Sequence, residues 1–132
     1  MKITPETPLY TIGVVEDLVE IPQRILRFYE EKGVIKPSRS VSNRRLYSQL
    51  DLDKIRYVHY LHRIKRVNLA GIREIFHLLD NLKESERTKL IAEFEEEMST
   101  LSAEKRKLYE ETSLPPEKEI GEHEKEKEIH DG

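Results

Sequence analysis

Residues 21–47 read IPQRILRFYEEKGVIKPSRSVSNRRLY, and much of the predicted fold follows from them. Pro22 suits the first turn of a helix, where its missing N–H costs no hydrogen bond, and Gly33 is typical of a helix C-terminus. Between these two positions, apolar residues recur at helical spacing on one face: Ile25, Leu26 and Tyr29. We therefore predict a helix that buries this face and leaves three polar side chains on the opposite side: Gln23, Arg24 and Arg27.

The second half of these residues predicts a small β-hairpin. Pro37 and a run of serines precede a tip at Ser40–Asn43, and a basic segment, Arg44–Tyr47, returns from it. Upstream, a short helix is predicted from Thr11, which can cap it, to near Glu20. Two short helices followed by a hairpin have the proportions of a winged helix-turn-helix.

Two further helices are predicted after the hairpin. The third can begin at Ser48 or Asp51, and a three-residue apolar rhythm runs along it: Leu52, Ile55, Val58, Leu61 and Ile64. After a break at 66–68, Asn68 can cap the fourth helix. Its apolar face consists of Leu69, Ile72, Ile75, Phe76 and Leu79. Together these elements predict a mainly α-helical unit of about 80 residues, a common size for one domain.

Residues 83–112 contain no proline or glycine and are predicted to form one long helix. Its apolar residues form a narrow seam typical of a coiled coil: Leu90, Phe94, Met98, Leu101 and Leu108. Such a helix would be about 45 Å long, too long to lie along the preceding unit. We expect the seam to meet the same helix of a second subunit; the alternative is a helix folded back onto its own domain.

The composition excludes several classes of protein. The 132 residues include no cysteine, which excludes disulfides, thiolate metal sites, iron–sulfur clusters and a cysteine nucleophile. No apolar run approaches the roughly 20 residues of a membrane span, and no phosphate-binding glycine loop or nucleophile elbow is present. His59, His62 and His77 have no cysteine or carboxylate cluster beside them to complete a metal site. We predict a cytoplasmic protein that is not an enzyme and needs no cofactor or metal.

The formal net charge of −3 hides an asymmetry along the chain. Residues 1–80 carry 14 Lys and Arg against 10 Asp and Glu, whereas residues 81–132 carry 9 against 16. Between residues 23 and 66 the balance is 12 to 4, a net charge of +8. A basic segment of this kind fits a nucleic-acid partner, because neutralising phosphates releases counterions, although basic solvated surfaces also occur in proteins that bind no nucleic acid.

Residues 10–80 resemble the DNA-binding domain of the MerR family of bacterial regulators. The resemblance rests on three segments: Tyr10–Gly13 (YTIG), Arg27–Arg39 (RFYEEKGVIKPSR) and Arg45–Tyr47 (RLY). Within the family, residues 43–48 and 67–72 are most similar to the heat-shock repressor branch, HspR, and next to the nitrogen regulators GlnR and TnrA. Arg66 departs from the pattern, since relatives usually have a helix-ending glycine there.

The resemblance implies a homodimer whose second helices enter successive major grooves of an inverted repeat, with the long helices paired as an antiparallel coiled coil. Gln23, Arg24 and Arg27 would read base edges. Arg39, Arg44 and Arg45 would hold phosphates around the hairpin, which is the wing of this fold. The implied DNA-binding set also includes Thr11, Tyr29 and Tyr47. Arg66, the departure from the family pattern, adds a cation near the same face and is included in the predicted set. Thr11 could instead only cap its helix, and Tyr29 could instead only pack in the core.

We thus predict four segments: an N-terminal arm at 1–9, the winged helix-turn-helix domain at 10–82, the dimerisation helix at 83–112 and a disordered charged tail at 113–132. The HspR resemblance implies a nucleoid-associated bacterial repressor of chaperone operons, with double-stranded DNA as partner and a DnaK-type chaperone as co-repressor. One alternative is a nitrogen regulator whose tail is bound by a metabolic enzyme. Another is an interaction protein that recruits partners through its long helix and does not bind DNA.

Overall fold

A computed structural model of the chain describes residues 2–111, which form six helices and one two-stranded hairpin. Helices α1 (Ile12–Val19) and α2 (Gln23–Glu31) precede strands β1 (Ser38–Arg39) and β2 (Arg45–Leu46). Four helices follow: α3 (Gln49–Arg63), α4 (Leu69–Leu79), α5 (Glu84–Ser99) and α6 (Ala103–Glu110). The predicted tail at 113–132 lies outside the described residues.

Helix α3 is the centre of the fold, because α1, α4 and α6 all pack against it. Its predicted apolar rhythm is confirmed over most of its length: Leu52, Ile55 and Val58 are completely or almost completely buried. The opposing helices contribute further fully buried side chains, namely Val15 from α1, Leu26 from α2, and Leu69 and Ile72 from α4. The core therefore sits under α2 and fixes its apolar face, which leaves the polar face of α2 at the surface.

Short polar side chains fix the ends of the central helices. Ser48 and Asp51 form a reciprocal pair at the start of α3: Asp51 N–H donates to Ser48 Oγ at 3.1 Å, and Ser48 N–H donates to Asp51 Oδ2 at 2.8 Å. Asn68 Oδ1 accepts from Gly71 N–H at 2.8 Å and caps α4 as predicted. Thr11 precedes α1 in the expected place, but its hydroxyl makes no capping hydrogen bond.

The hairpin lies where the sequence predicted it. β1 and β2 are antiparallel with Ser38 opposite Leu46 and Arg39 opposite Arg45. At the tip, Asn43 has a left-handed φ of 65°, a conformation that asparagine tolerates better than most residues. A bridge between Tyr10 and Tyr47 joins the segment before α1 to the base of the hairpin.

The prediction of one continuous helix over residues 83–112 is wrong. The segment divides into α5 and α6 at Thr100–Ser102. The Ser99 hydroxyl donates to the Glu96 carbonyl at 2.7 Å, and Ser102 Oγ accepts from Lys105 N–H at 3.2 Å to open α6. Serine and threonine compete in this way with backbone hydrogen bonds, so they end one helix and begin the next without any proline or glycine.

Both new helices pack on their own domain, so the predicted seam is not a single stripe. Phe94 is 8% exposed, and the centroid of its ring lies 4.8 Å from that of Tyr57 and 5.2 Å from that of Tyr60. Met98 and Leu101 pack partly against the core and Leu90 is partly buried, whereas Leu108 on α6 is 39% exposed. The alternative of a helix folded back onto its own domain therefore fits Phe94, Met98 and Leu101, and the five side chains do not form one stripe along a single helix. Dimerisation through this segment stays a prediction.

Candidate nucleic-acid interface

The exposed face of α2 carries the three polar side chains that the sequence placed there. Gln23 begins the helix and is partly buried, while Arg24 and Arg27 are exposed. Arg27 Nη2 donates to Gln23 Oε1 at 3.0 Å, so the amide and the guanidinium are held together one turn apart. The opposite face, with Ile25, Leu26, Phe28 and Tyr29, is buried.

Glu16, in α1, holds the first residue of α2. Its Oε1 accepts from Gln23 Nε2 at 3.0 Å and its Oε2 accepts from the Gln23 backbone N–H at 3.4 Å. The result is a chain of hydrogen bonds from Glu16 through Gln23 to Arg27. This role of Glu16 was not predicted, because its partner is seven residues away in another helix and no periodic pattern marks such a contact.

Glu30, at the end of α2, anchors the hairpin. Its carboxylate accepts from Arg39 Nη2 at 2.9 Å and from Arg45 Nε at 2.6 Å, one arginine from each strand. The two arginines were expected to hold phosphates, whereas in this structure they tie the hairpin to α2. The cluster of one carboxylate and two guanidiniums has a net charge of +1. The contact between Arg45 and Glu30 uses only Nε, so the N–H groups on the two Nη atoms of Arg45 are not used by this ion pair. Glu30 stands in the RFYE motif, but its role was not predicted.

Arg44 and Arg66 are exposed on two different turns. Arg44 follows Asn43 at the hairpin tip, where its backbone N–H donates to Ser40 Oγ at 3.1 Å. Arg66 has a left-handed φ of 60°, so the helix-ending turn that relatives make with glycine is made here by an arginine. Both side chains place a positive charge at the surface, Arg44 at the hairpin tip and Arg66 in the turn after α3.

Tyr29 and Tyr47 do not belong to this surface, and their predicted place among DNA contacts is corrected. Tyr29 is 1% exposed and Tyr47 is fully buried. The Tyr47 hydroxyl has no hydrogen-bond partner within residues 2–111, and burial raises its pKa to about 12. Both phenols belong to the core that supports α2 and the hairpin, so neither hydroxyl reaches a phosphate in this conformation.

A buried network links α2 to the C-terminal helix through Tyr29 and His59. His59 Nε2 lies 2.7 Å from the backbone oxygen of Tyr109, which can only accept, so Nε2 carries the hydrogen. Burial lowers the pKa of His59 to about 4, which keeps the ring neutral, and Nδ1 then accepts from the Tyr29 hydroxyl at 2.6 Å. His62 Nδ1 lies 3.3 Å from the same hydroxyl. Both ring nitrogens of His59 are thus occupied by protein groups.

Residues 2–111 contain neither of two other features that were considered from the sequence, a metal site and a membrane span. No group of three or more metal-ligating side chains lies together in this part of the chain. None of the six helices here is long and apolar enough to cross a membrane. The candidate site is the exposed face of α2 together with the hairpin that Glu30 joins to it, and Arg66 is a further exposed cation.

The comparisons with known proteins concern the same segment. A family model described as "MerR HTH family regulatory protein" matches residues 10–79. The HTH-type transcriptional regulator GlnR of Bacillus anthracis, and that of Bacillus cereus, is 37% identical over 82 residues, which cover 62% of this chain and 63% of the relative. HspR of Streptomyces coelicolor, whose name describes a heat shock protein, is 34% identical over 83 residues, 63% of this chain and 55% of the relative. The match thus spans less than two thirds of these curated relatives.

Proposed function

Because the chain belongs to the MerR family of helix-turn-helix regulatory proteins, we propose that it is a sequence-specific transcription regulator that binds double-stranded DNA as a homodimer. The observation that supports this most directly is the polar face of α2, where Gln23 and Arg27 are hydrogen-bonded to each other at the surface. Glutamine pairs with adenine and arginine with guanine in the major groove. α2 is then the recognition helix, and its N-terminal half enters the groove.

The hairpin serves as the wing in this proposal. Arg44 at its tip is exposed and makes no ion pair within residues 2–111, so its guanidinium is the best placed to contact a phosphate. Arg39 and Arg45 act mainly through Glu30, by holding the hairpin at a fixed position relative to α2. Arg66 and the amides at the start of α1, next to Thr11, complete the phosphate-contacting surface.

The dimer contact is proposed on α5 rather than on one long helix. Two antiparallel copies of α5, each about 24 Å long, would bring together the apolar groups that this helix leaves accessible. Ile91 is 38% exposed, and Leu90 and Met98 are partly buried. Phe94 is committed to its own chain through Tyr57 and Tyr60 and does not contribute.

Two classes of genes are candidates for regulation by this protein. The HspR-like segments support repression of heat-shock and chaperone genes, with a DnaK-type chaperone as co-repressor. The 37% identity with GlnR favours a nitrogen regulator as the second candidate, and the two relatives differ by only about two identical positions over the matched segment. Sequencing of the genomic fragments that the chain retains in vitro separates them: chaperone operons support the first and nitrogen-assimilation genes the second.

The DNA-binding proposal is tested by the salt dependence of binding to a random-sequence duplex. We expect the affinity of the 132-residue chain to fall steeply as salt rises, because bound phosphates release counterions. Arg44→Ala should weaken binding to all sequences alike and reduce the slope of log affinity against log salt by about 1. Lys105→Ala is the matched control, since this lysine is exposed on α6, which carries neither the proposed DNA contacts nor the proposed dimer contact, and its loss removes the same charge. Absence of binding, or affinity that does not change with salt, would contradict the proposal.

A further inference from the structure

The start of α2 lacks a capping side chain of its own. Pro22 precedes the helix, carries no N–H and makes no side-chain cap. The carboxylate of Glu16 takes this role from the neighbouring helix, since it accepts from the backbone N–H of Gln23 as well as from the side-chain amide. A negative charge at a helix N-terminus is also favourable for the helix dipole. Glu16 therefore fixes the backbone and the side chain of the same residue.

The contacts of Gln23 allow one orientation of its amide. The NH₂ group faces the carboxylate of Glu16 and the oxygen faces the guanidinium of Arg27. A rotation of the amide by 180° would place its donors against another donor and its oxygen against a carboxylate. Both hydrogen bonds would be lost and both contacts would become repulsive. Meanwhile one N–H and one lone pair of the amide are not used by these two contacts, and a bidentate contact to adenine needs one of each.

We propose that Glu16 is a specificity-determining positioning residue: it sets which edge of the Gln23 amide, and through it which position of the Arg27 guanidinium, faces a base pair. The inference rests on the proposed DNA-binding function. N-terminal residues of a recognition helix contact base edges, and Gln23 is the first residue of α2. Glu16 itself touches no base in this proposal and acts through Gln23.

The test measures base preference rather than affinity alone. The duplex that the wild-type chain enriches most from a random-sequence pool is the probe, together with duplexes in which each base pair is replaced singly. In Glu16→Gln the carboxylate becomes an amide, so both orientations of Gln23 can be satisfied. We expect the discrimination at one base pair of each half-site to fall at least about fivefold, the lower limit for a good bidentate contact.

Asp17→Asn is the matched control, because Asp17 is the next residue of α1, is exposed and loses the same charge. Both variants should gain the same non-specific affinity, but Asp17→Asn should keep the base preference. Glu16→Asp is the second variant: it keeps the charge and withdraws the carboxylate by one methylene. It should lose the preference without any gain in non-specific affinity. A Glu16→Asp variant that keeps the full preference would overturn the inference.

A double-mutant cycle with Gln23→Ala separates positioning from a general structural effect. If Glu16 acts through Gln23, Glu16→Gln should change base preference in the wild-type background and should change nothing further in the Gln23→Ala background. An equal change in both backgrounds, or none in the first, overturns the inference alone. A wild-type chain that enriches no sequence overturns the proposed function and this inference with it.

Discussion

The buried ring of His59 makes the folding stability of the chain depend on pH below neutrality. The side chain is 1% exposed, and burial lowers its pKa from an ordinary value of 6.5 to about 4; the hydrogen bond to the Tyr109 carbonyl opposes the shift in part. In the unfolded chain the same ring takes up a proton near pH 6.5. The stabilising contribution is therefore complete above pH 6.5 and is lost as the pH falls towards 4.

The size of this loss follows from the two pKa values. Below pH 6.5 the unfolded chain binds up to one proton more than the folded chain at this residue. Each further fall of one pH unit then lowers the free energy of unfolding by at most about 1.4 kcal/mol. Between pH 7 and pH 5, His59 lowers the free energy of unfolding by about 2 kcal/mol, because the part of this interval above pH 6.5 contributes little. Other groups that titrate in this range add their own terms, so a comparison of variants is needed.

Urea unfolding of the wild-type chain and of His59→Gln, at pH 7 and pH 5 and at one protein concentration, isolates the contribution of His59. Glutamine does not titrate, so the variant should lose about 2 kcal/mol less than wild type over this interval, whatever its stability at pH 7. His77→Gln is the control, because it makes the same replacement at an exposed position on α4. Equal losses in wild type and His59→Gln would refute the placement of a neutral, buried histidine.

Three further changes test individual contacts by urea unfolding. Phe94→Ala should lower the free energy of unfolding by about 3 kcal/mol because the ring packs on its own domain, whereas Leu108→Ala, at a more exposed position, should cost less than about 1 kcal/mol. Tyr47→Phe should raise the free energy of unfolding by about 1 kcal/mol, since it removes a buried hydroxyl without a partner within residues 2–111, and should leave DNA affinity unchanged. Arg66→Gly should raise the free energy of unfolding by about 0.5 kcal/mol, because the relief of the left-handed backbone exceeds the entropy that glycine loses on folding. A lower free energy of unfolding would contradict a left-handed Arg66.

Local sequence signals were sufficient for the first four helices and the hairpin. Ser48 and Asp51 stand three residues apart before an apolar rhythm, and Asn68 precedes another, so each cap is readable from neighbours in the chain. Gly33 ends α2 with a φ of 77°, as a glycine at that position predicts. In α3 and α4, capping chemistry and apolar spacing agree, whereas α1 and the start of α2 form without a side-chain cap of their own.

The C-terminal helices were mispredicted because the decisive contacts are distant in sequence. Spacing alone cannot distinguish Phe94 packed on Tyr57 and Tyr60 from Phe94 packed on a second subunit. Ser99 and Ser102 give only a weak local indication that the helix breaks. The break allows α6 to fold back, so that the backbone oxygen of Tyr109 accepts a hydrogen bond from His59, 50 residues earlier. An apolar stripe predicts that a face is buried, but it does not say what covers it.

The sequence predicted which side chains of α2 lie at the candidate site, but not the side-chain contacts that join α2 to the neighbouring elements. The polar face of α2 follows from helical spacing, so Gln23, Arg24 and Arg27 were placed correctly at the surface. The carboxylates of Glu16 and Glu30 organise this surface through side-chain contacts between elements, which periodicity does not report. Burial of Tyr29 and Tyr47 likewise depends on the packing of α3 and the segment before α1.

The proposal that α2 reads DNA sequence is tested by enrichment from a random pool of duplexes. The wild-type chain should enrich an inverted repeat with half-sites about one helical turn apart, or a multiple of that spacing. Arg27→Ala, tested on the same pool, should lose the preference at one base pair in each half-site while it still binds. A wild-type chain that enriches no sequence, or an Arg27→Ala variant that returns the unchanged repeat, would contradict the claim.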